Sequence, residues 1–484
     1  MPVQHSVGRA RRVRRHGGRP RGPQNLPSGC RPHYDRCHTT PSEEDAAGRR
    51  IHLPRGRVMG GSHALNAGIW VRGDRWDYDT WAGDFGCEGW SWDDVLPVFR
   101  EIETFDDGAS ETRGGDGLLD VVAHFPRNPL MEDLVEACRQ TRIPLNPDYN
   151  SGTVDGVSRM QLTIRDGRRF NTWRAYLKPV ADHPDLTIRT DLQVRRILFD
   201  GRRAVGVQVS DAHGVRELTA DRIVLAAGAL NSPELLLRSG VGPAGELREV
   251  GVESVHDLPG VGRNLHDHLL SPVVFTTDDA PVPEGEVTVA EVHFFDRSDP
   301  GLPVPDTQPI FFSVPMYAQD ARPPQEPVAE NGFTLQGGLV RPHSRGQVRL
   351  TGPEPSDPIS VDLGALQDRR DVDALVASVR QCRQIGRAEA LAPWGPRELY
   401  PGPQVSDAQL EDYVRGSVVT YHHQVGTCRM GRDEHSVVDP TTFAVHGVDD
   451  LFVADASIMP QVPTGNTNAP SVMIGERAAT TLRR

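Results

Sequence analysis

The chain has 484 residues, a formal net charge of −13 and a pI near 5.8, so its overall balance offers no basic surface for a nucleic-acid partner. Mean hydropathy is −0.45, and no window approaches the roughly 20 apolar residues of a membrane helix, so no integral membrane segment is expected. The length exceeds one ordinary core and calls for two domains or one elaborated α/β unit.

Six cysteines (Cys30, Cys37, Cys87, Cys138, Cys382 and Cys428) are scattered without CxxC or metal-ligand spacing, which reads as reduced thiols in a cytoplasmic protein and as no metal site. Residues 1–40 carry nine Arg against one acid, Asp35, with repeated Gly and Pro and no Ile or Phe. Nothing there alternates or repeats at helical spacing, so no core is expected from it. The 1–45 segment reads as a disordered or aberrant Arg-rich head, with the texture of GC-rich DNA translated in a wrong frame. Lys178, the single lysine, points to the same coding bias. A transit peptide and a basic arm for an anionic partner are the other readings.

From about Arg49 the texture changes. Pro54-Arg55-Gly56-Arg57-Val58-Met59-Gly60-Gly61-Ser62 is a tight turn, followed by Asn66-Ala67-Gly68-Ile69-Trp70. Ser91 is an N-cap with acids in the first turn of a short helix. A helix from about Leu130 to Arg139 puts Leu130, Leu134 and Cys138 on one face, and Asp166-Gly167 marks a hairpin turn. From Leu186 the chain reads as β: Leu186–Arg189, then Val194–Phe199, an Asp200-Gly201 turn, and alternating Val205, Val207 and Val209. Arg222–Gly228 is near-continuously apolar, as in a parallel strand buried on both faces, and Ser232-Pro233 then starts a helix that Gly240 stops. Strand, glycine and helix N-terminus form a ligand-binding crossover.

Residues 277–330 are rich in Pro, Asp and Glu and read as loops and edge strands. Residues 339–350 read as a hairpin-like pair, and a helix runs from about Asp368 to Ile385. Near the C-terminus Leu451–Val453 delivers Asp455, Ala456 and Ser457 to a site flanked by imidazoles (His422, His423) and carboxamides (Asn466, Asn468). Pro470 opens the last helix, whose N-terminus suits an electron-rich ligand. An imidazole can serve as general base and an Asn can hold a substrate oxygen. On spacing alone, a solvated or core-satisfied His remains the commoner reading of His423.

Three C-terminal blocks in order resemble the signature of the glucose–methanol–choline (GMC) oxidoreductases: His423-Gln424-Val425-Gly426-Thr427-Cys428-Arg429-Met430-Gly431, Phe452–Ser457 and Gly465–Pro470. The Gly60-Gly61-Ser62 turn, Gly228-Ala229 with Ser232-Pro233, and Gly262–His268 extend the likeness from about Arg49 to the end. The resemblance implies an α/β (α+β) fold. A Rossmann-like FAD-binding domain (46–110, 186–270, 432–484) would interleave with a substrate-binding domain built on an antiparallel sheet (111–185, 271–431). The family's strand–GxGxxG–helix unit does not occur in this sequence, so the FAD-binding domain is expected to be incomplete at its N-terminus.

By the same resemblance the FAD contacts fall on Gly60, Gly61, Ser62, Asn66, Ala67, Gly68, Ile69, Val194 (adenine), Ala227, Gly228, Asp455, Ala456 and Asn468. Leu65 stands where some members carry a flavin-tethering His, so FAD is expected to be non-covalent and His63 a packing residue; His422 is read as structural. The implied reaction is FAD-dependent oxidation of a primary alcohol to an aldehyde, as in choline dehydrogenases and alcohol oxidases. In it His423 takes the hydroxyl proton, Asn466 orients the alkoxide and hydride passes to flavin N5, with oxygen or a redox carrier as final acceptor. The alternatives are a truncated remnant unable to hold FAD and a hydroxynitrile lyase-like enzyme.

Overall fold

The computed structural model describes residues 34–277, 280–318 and 331–483, and the readings made for 1–33 lie outside them. Residues 34–45, assigned above to the foreign head, are folded: His38–Thr39 pairs antiparallel with His52–Leu53. Glu43 is buried and accepts hydrogen bonds from the Leu363 and Ala365 amides (3.0 and 3.4 Å), which ties this segment to the far end of the chain. Cys87, Cys138, Cys382 and Cys428 are free and buried, whereas Cys37 is disulfide-bonded and departs from the expectation of thiols throughout.

Helix α1 (Arg75–Gly83) is capped by Asp74, and α2 (Trp92–Ile102) by Ser91, whose amide and hydroxyl bond the Asp94 carboxylate. Tyr78, Trp81, Trp92 and Phe99 from these helices and Trp90 between them pack edge-on or tilted in one core, so the dense aromatics here are packing residues. Helix α3 (Pro129–Gln140) matches its expected span and leads into strand β1 (Gly156–Arg159). The Asp166-Gly167 hairpin forms between Ile164–Arg165 and Arg168–Arg169. Strands β2 (Gln193–Asp200), β3 (Arg203–Asp211) and β4 (Gly214–Thr219) make the expected meander. Leu186–Arg189, read as a strand, has no ladder partner among the described residues and is irregular.

Among the described residues strand β5 (Ile223–Leu225) pairs only with a C-terminal strand, in parallel, and Val224 is 46 % exposed. This corrects the expectation of a strand buried on both faces: its sequence is that of an interior strand, but among the described residues no layer covers its second face. Helix α4 (Gly228–Arg238) begins four residues before the expected Ser232. Pro233 therefore lies inside it and cannot donate to the Ala229 carbonyl. The Thr427 hydroxyl fills that place at 2.5 Å, so a residue distant in sequence repairs the helix.

Strands β6 (Leu269–Thr277), β7 (Ala290–Phe295), β8 (Ile310–Phe312) and β9 (Gly332–Leu339) form an antiparallel sheet with β1 at one edge. The 277–330 region, expected to hold edge strands, thus supplies two interior strands; buried polar residues such as Glu291 and His293 hide β7 from a hydrophobic pattern. Residues 339–350 do not form a hairpin, because Gln347–Leu350 pairs with Ile359–Asp362. Helix α5 (Arg369–Ile385), capped by Asp368, packs across β6 and β9. A Cβ at Gly337 of β9 would meet the Val379 amide at 2.9 Å, so glycine permits this close packing. Strand β10 (Pro396–Tyr400) adds to β6, helix α6 (Leu410–Ser417) follows, and β11 (Val419–Thr420) pairs with the start of β6. Strand β12 (Leu451–Val453) is the partner of β5, and α7 (Asn468–Leu482) closes the chain. Among the described residues no helix is long and apolar enough to cross a membrane.

Candidate active site and cofactor cleft

The antiparallel pairing of β6 with β11 sets Leu269 opposite Thr420, so the residues flanking this register, His268 and His423, meet although 155 positions apart. Their Nδ1 atoms lie 2.9 Å apart in a buried setting. Asn466 arrives from the loop before α7. Asp77 of α1 holds that loop by accepting from the Thr464 amide (2.6 Å), the Thr464 hydroxyl (2.9 Å) and the Arg341 guanidinium (2.7 Å). His266 holds it from the other side, accepting the Val462 amide at Nε2 (2.8 Å). Asn466 Nδ2 then stands 3.1 Å from His423 Nε2.

With the Asn466 NH2 turned to His423 Nε2, the imidazole proton of His423 sits on Nδ1 and is donated to His268 Nδ1. Asp267 braces the arrangement: it accepts the His423 backbone N–H at 2.7 Å, and also the Thr420 hydroxyl and Gln424 amide. Burial raises the Asp267 carboxyl to about 6, against the pull of those donors. Burial likewise drives His423 well below the usual histidine range, helped by the neighbouring His268, His422 and Arg55, and holds His268 down to about 3. The site therefore presents a neutral imidazole beside a carboxamide, a pair that can take a hydroxyl proton and hold its oxygen.

Both groups face a cavity of about 3950 Å³. Small-molecule pockets run to roughly 300–1,000 Å³, so this cleft has room for an extended cofactor as well as a substrate. Of the residues singled out for FAD, Gly60, Gly61, Ser62, Asn66, Ala67, Ile69, Val194, Ala227, Gly228, Asp455, Ala456 and Asn468 line it. Gly68 does not; it sits behind the wall, its carbonyl accepting the Thr163 amide (2.8 Å) and hydroxyl (3.1 Å). His63 is buried at 3.0 Å from the Thr163 hydroxyl and held down to about 3 by burial, in keeping with packing.

Two features fit the flavin end of FAD. A Cβ at Gly61 or Gly228, both at positive φ (57° and 84°), would meet no protein atom within 4 Å, so both backbones lie open to the cleft. Asp455 bridges β12 to α4 by accepting the Gly228 amide (2.9 Å) and the Ser232 hydroxyl (2.5 Å), which shapes a small-residue floor.

Asp267, His268, Gln308 (its Nε2 3.4 Å from Asn466 Oδ1) and Tyr421 (its ring centroid 4.5 Å from that of His423) had no role assigned from sequence. The His266-Asp267-His268 run was visible in the motif, but only the β6–β11 register brings it to His423. Gln308 and Tyr421 carried no local signal.

Models of the GMC oxidoreductase family match residues 28–270 and 342–475. The chain is 36 % identical over 476 residues to mitochondrial choline dehydrogenase of Mus musculus, covering 93 % of this chain and 79 % of that protein. The structure of pyridoxine 4-oxidase from Mesorbium loti superposes with a TM-score of 0.88 at 37 % identity, covering 93 % of this chain and 89 % of that one. Formate oxidase of Aspergillus oryzae RIB40, in a structure concerned with its FAD modification, gives 0.83 at 26 %, covering 93 % and 88 %. The chain belongs to the GMC oxidoreductases, FAD-dependent enzymes acting on CH–OH groups.

Proposed function

We propose that this protein oxidises a primary alcohol to the aldehyde, with His423 as base and Asn466 as the group that holds the oxygen. The observation that carries the reading is the facing of His423 Nε2 and Asn466 Nδ2 at 3.1 Å inside the cleft. A substrate hydroxyl entering there donates its proton to Nε2 and accepts the amide N–H, so the negative charge that grows on oxygen meets a preset donor. Bound FAD supplies the acceptor for the carbon-bound hydrogen and its electron pair. The imidazolium formed on His423 is stabilised by passing its Nδ1–H to His268. Asp267 keeps the ring in place through the backbone rather than by titrating with it.

The cofactor contacts are assigned to the cleft-lining residues named above, with Val194 at the adenine end and Asp455, Ala456 and Asn468 nearer the flavin. Oxygen or a redox carrier takes the electrons onward, and the site is cytoplasmic. We assign the FAD-binding domain to the part around α1, α2, α4 and α7 and the substrate-binding domain to the part around the antiparallel sheet, a division supported by two larger cores that share residues across its bounds. A second reading, a chain that holds FAD poorly, is favoured by one observation: the 46 % exposure of Val224 on the short parallel pair. Anaerobic mixing of FAD-loaded protein with primary alcohols tests the proposal. Aldehyde formed in step with loss of the visible flavin band, and abolished in His423→Ala, supports it; turnover unaffected by His423→Ala sinks it.

A further inference from the structure

Asn466 can serve the oxygen only if its amide is turned with nitrogen toward His423. Nothing in the Asn466–His423 pair alone fixes this, because a His423 protonated at Nε2 would meet the amide oxygen equally well. A second buried carboxamide is coupled to it. The Gln308 side chain reaches Asn466 Oδ1 with its Nε2 at 3.4 Å, and the same nitrogen lies 3.0 Å from His293 Nδ1. Gln308, His293 and Asn466 are all buried. His293 is on β7, one register step from β8, and Gln308 is tied to β9 by its backbone N–H, which donates to Gly338 at 3.0 Å. The His293 ring is clamped edge-on between Tyr149 and Phe295 at centroid distances of 4.6 and 5.0 Å.

We propose that Gln308 is a positioning residue that, held by His293, fixes the orientation of the Asn466 amide and through it the tautomer of His423. With the His293 proton on Nε2, the bonds run in one direction. His293 Nδ1 is then an acceptor, so Gln308 presents its NH2 there and gives its second N–H to Asn466 Oδ1. Asn466 then turns its own NH2 to His423 Nε2, which must be unprotonated. Burial keeps His293 neutral, with its pKa down to about 3, so its ring keeps one donor and one acceptor nitrogen across the physiological range. Reversing Gln308 alone, with that His293 tautomer kept, would place oxygen against oxygen at Asn466 and lone pair against oxygen at His293, two unfavourable contacts in a dry site. The chain of fixed amides is therefore read outward from one imidazole lone pair to the catalytic one, over three strands and the loop before α7.

This rests on the proposed role of His423, and its test does not require turnover. Two-bond 1H–15N correlation spectra of protein carrying 15N-histidine, with His423 assigned by its loss in His423→Gln, report which ring nitrogen holds the proton. We expect His423 to be the Nδ1–H form in the unsubstituted protein. Gln308→Glu, of the same shape and unable to donate once ionised, turns the Asn466 amide at pH values above the titration of that carboxyl, and the His423 proton moves to Nε2. In steady-state assays the same variant loses roughly 10²-fold in kcat with KM little changed, the scale of one general base disabled. Gln308→Leu, which frees Asn466 without reversing it, gives a mixed tautomer and a smaller kcat loss. An Nε2–H form of His423 in the unsubstituted protein overturns the inference whatever the variants do. An unchanged tautomer in Gln308→Glu overturns it as well. Absence of alcohol turnover with the expected tautomers in place would instead count against the proposed function alone.

Discussion

Gly228→Ala separates the cofactor cleft from the stability of the fold. Gly228 opens α4 at φ 84°, and an added Cβ meets no protein atom within 4 Å. The methyl therefore costs the apo protein only the left-handed backbone of an L-residue, about 1–2 kcal/mol. With FAD bound against this floor, the methyl overpacks the cofactor, and overpacking costs about 1–3 kcal/mol. That corresponds to roughly a 5- to 150-fold rise in Kd. Gly167→Ala is the matched control: Gly167 has φ 66° in the exposed Asp166-Gly167 hairpin, and its Cβ also meets nothing within 4 Å, but it does not line the cleft. Urea unfolding of the apo proteins should show similar losses for both variants. FAD titration followed by flavin fluorescence should show weakened binding for Gly228→Ala only. Equal FAD affinity in Gly228→Ala and the unsubstituted protein, with the stability loss present, would refute the placement of the cofactor.

His423→Ala should lower kcat by roughly 10²–10⁴-fold with little change in FAD affinity, as expected for loss of a base alone. In the unsubstituted enzyme activity should fall at acid pH through a single ionisation below the ordinary histidine value, because burial holds His423 low and Asn466 does not titrate; two resolved ionisations would argue against one imidazole as the sole base. Thr427→Val strands the Ala229 carbonyl opposite Pro233 and should cost about 1–3 kcal/mol in urea unfolding. Glu43, raised by burial to about 7, should make the protein less stable as pH rises through 7, its stabilising protonated form being complete below the unfolded value of 4.5. The stability of Glu43→Gln minus that of the parent should therefore grow between pH 4.5 and 7 by up to about 3 kcal/mol; a flat difference would remove Glu43 from the account.

Helices α3 and α5 were legible because their apolar periodicity and Asn128 or Asp368 caps agree with the packing they find. The meander β2–β4 was legible from alternation and its Asp-Gly turn. Strands β7 and β8 were not, because Glu291, His293 and a Pro-rich context mask a fully buried sheet interior. β5 misled in the opposite sense: its sequence suits a two-sided burial that the described residues do not provide. At the site, motif blocks brought out His423, Asn466 and the small residues of the cleft. The groups packed around them, His268, Asp267 and Gln308, depend on strand register and on side-chain reach across the sheet. Those are properties of the assembled fold, and no local spacing encodes them.

The central claim, that this cleft uses FAD to oxidise an alcohol through His423, is tested most directly by one spectrum. The purified protein is loaded with FAD, desalted, and mixed anaerobically with a series of primary alcohols while the visible flavin band is followed. The account predicts that the band stays with the protein on desalting and bleaches with at least one alcohol, and that the bleaching disappears in His423→Ala. Flavin lost on desalting, or a retained band that no alcohol bleaches, would contradict it.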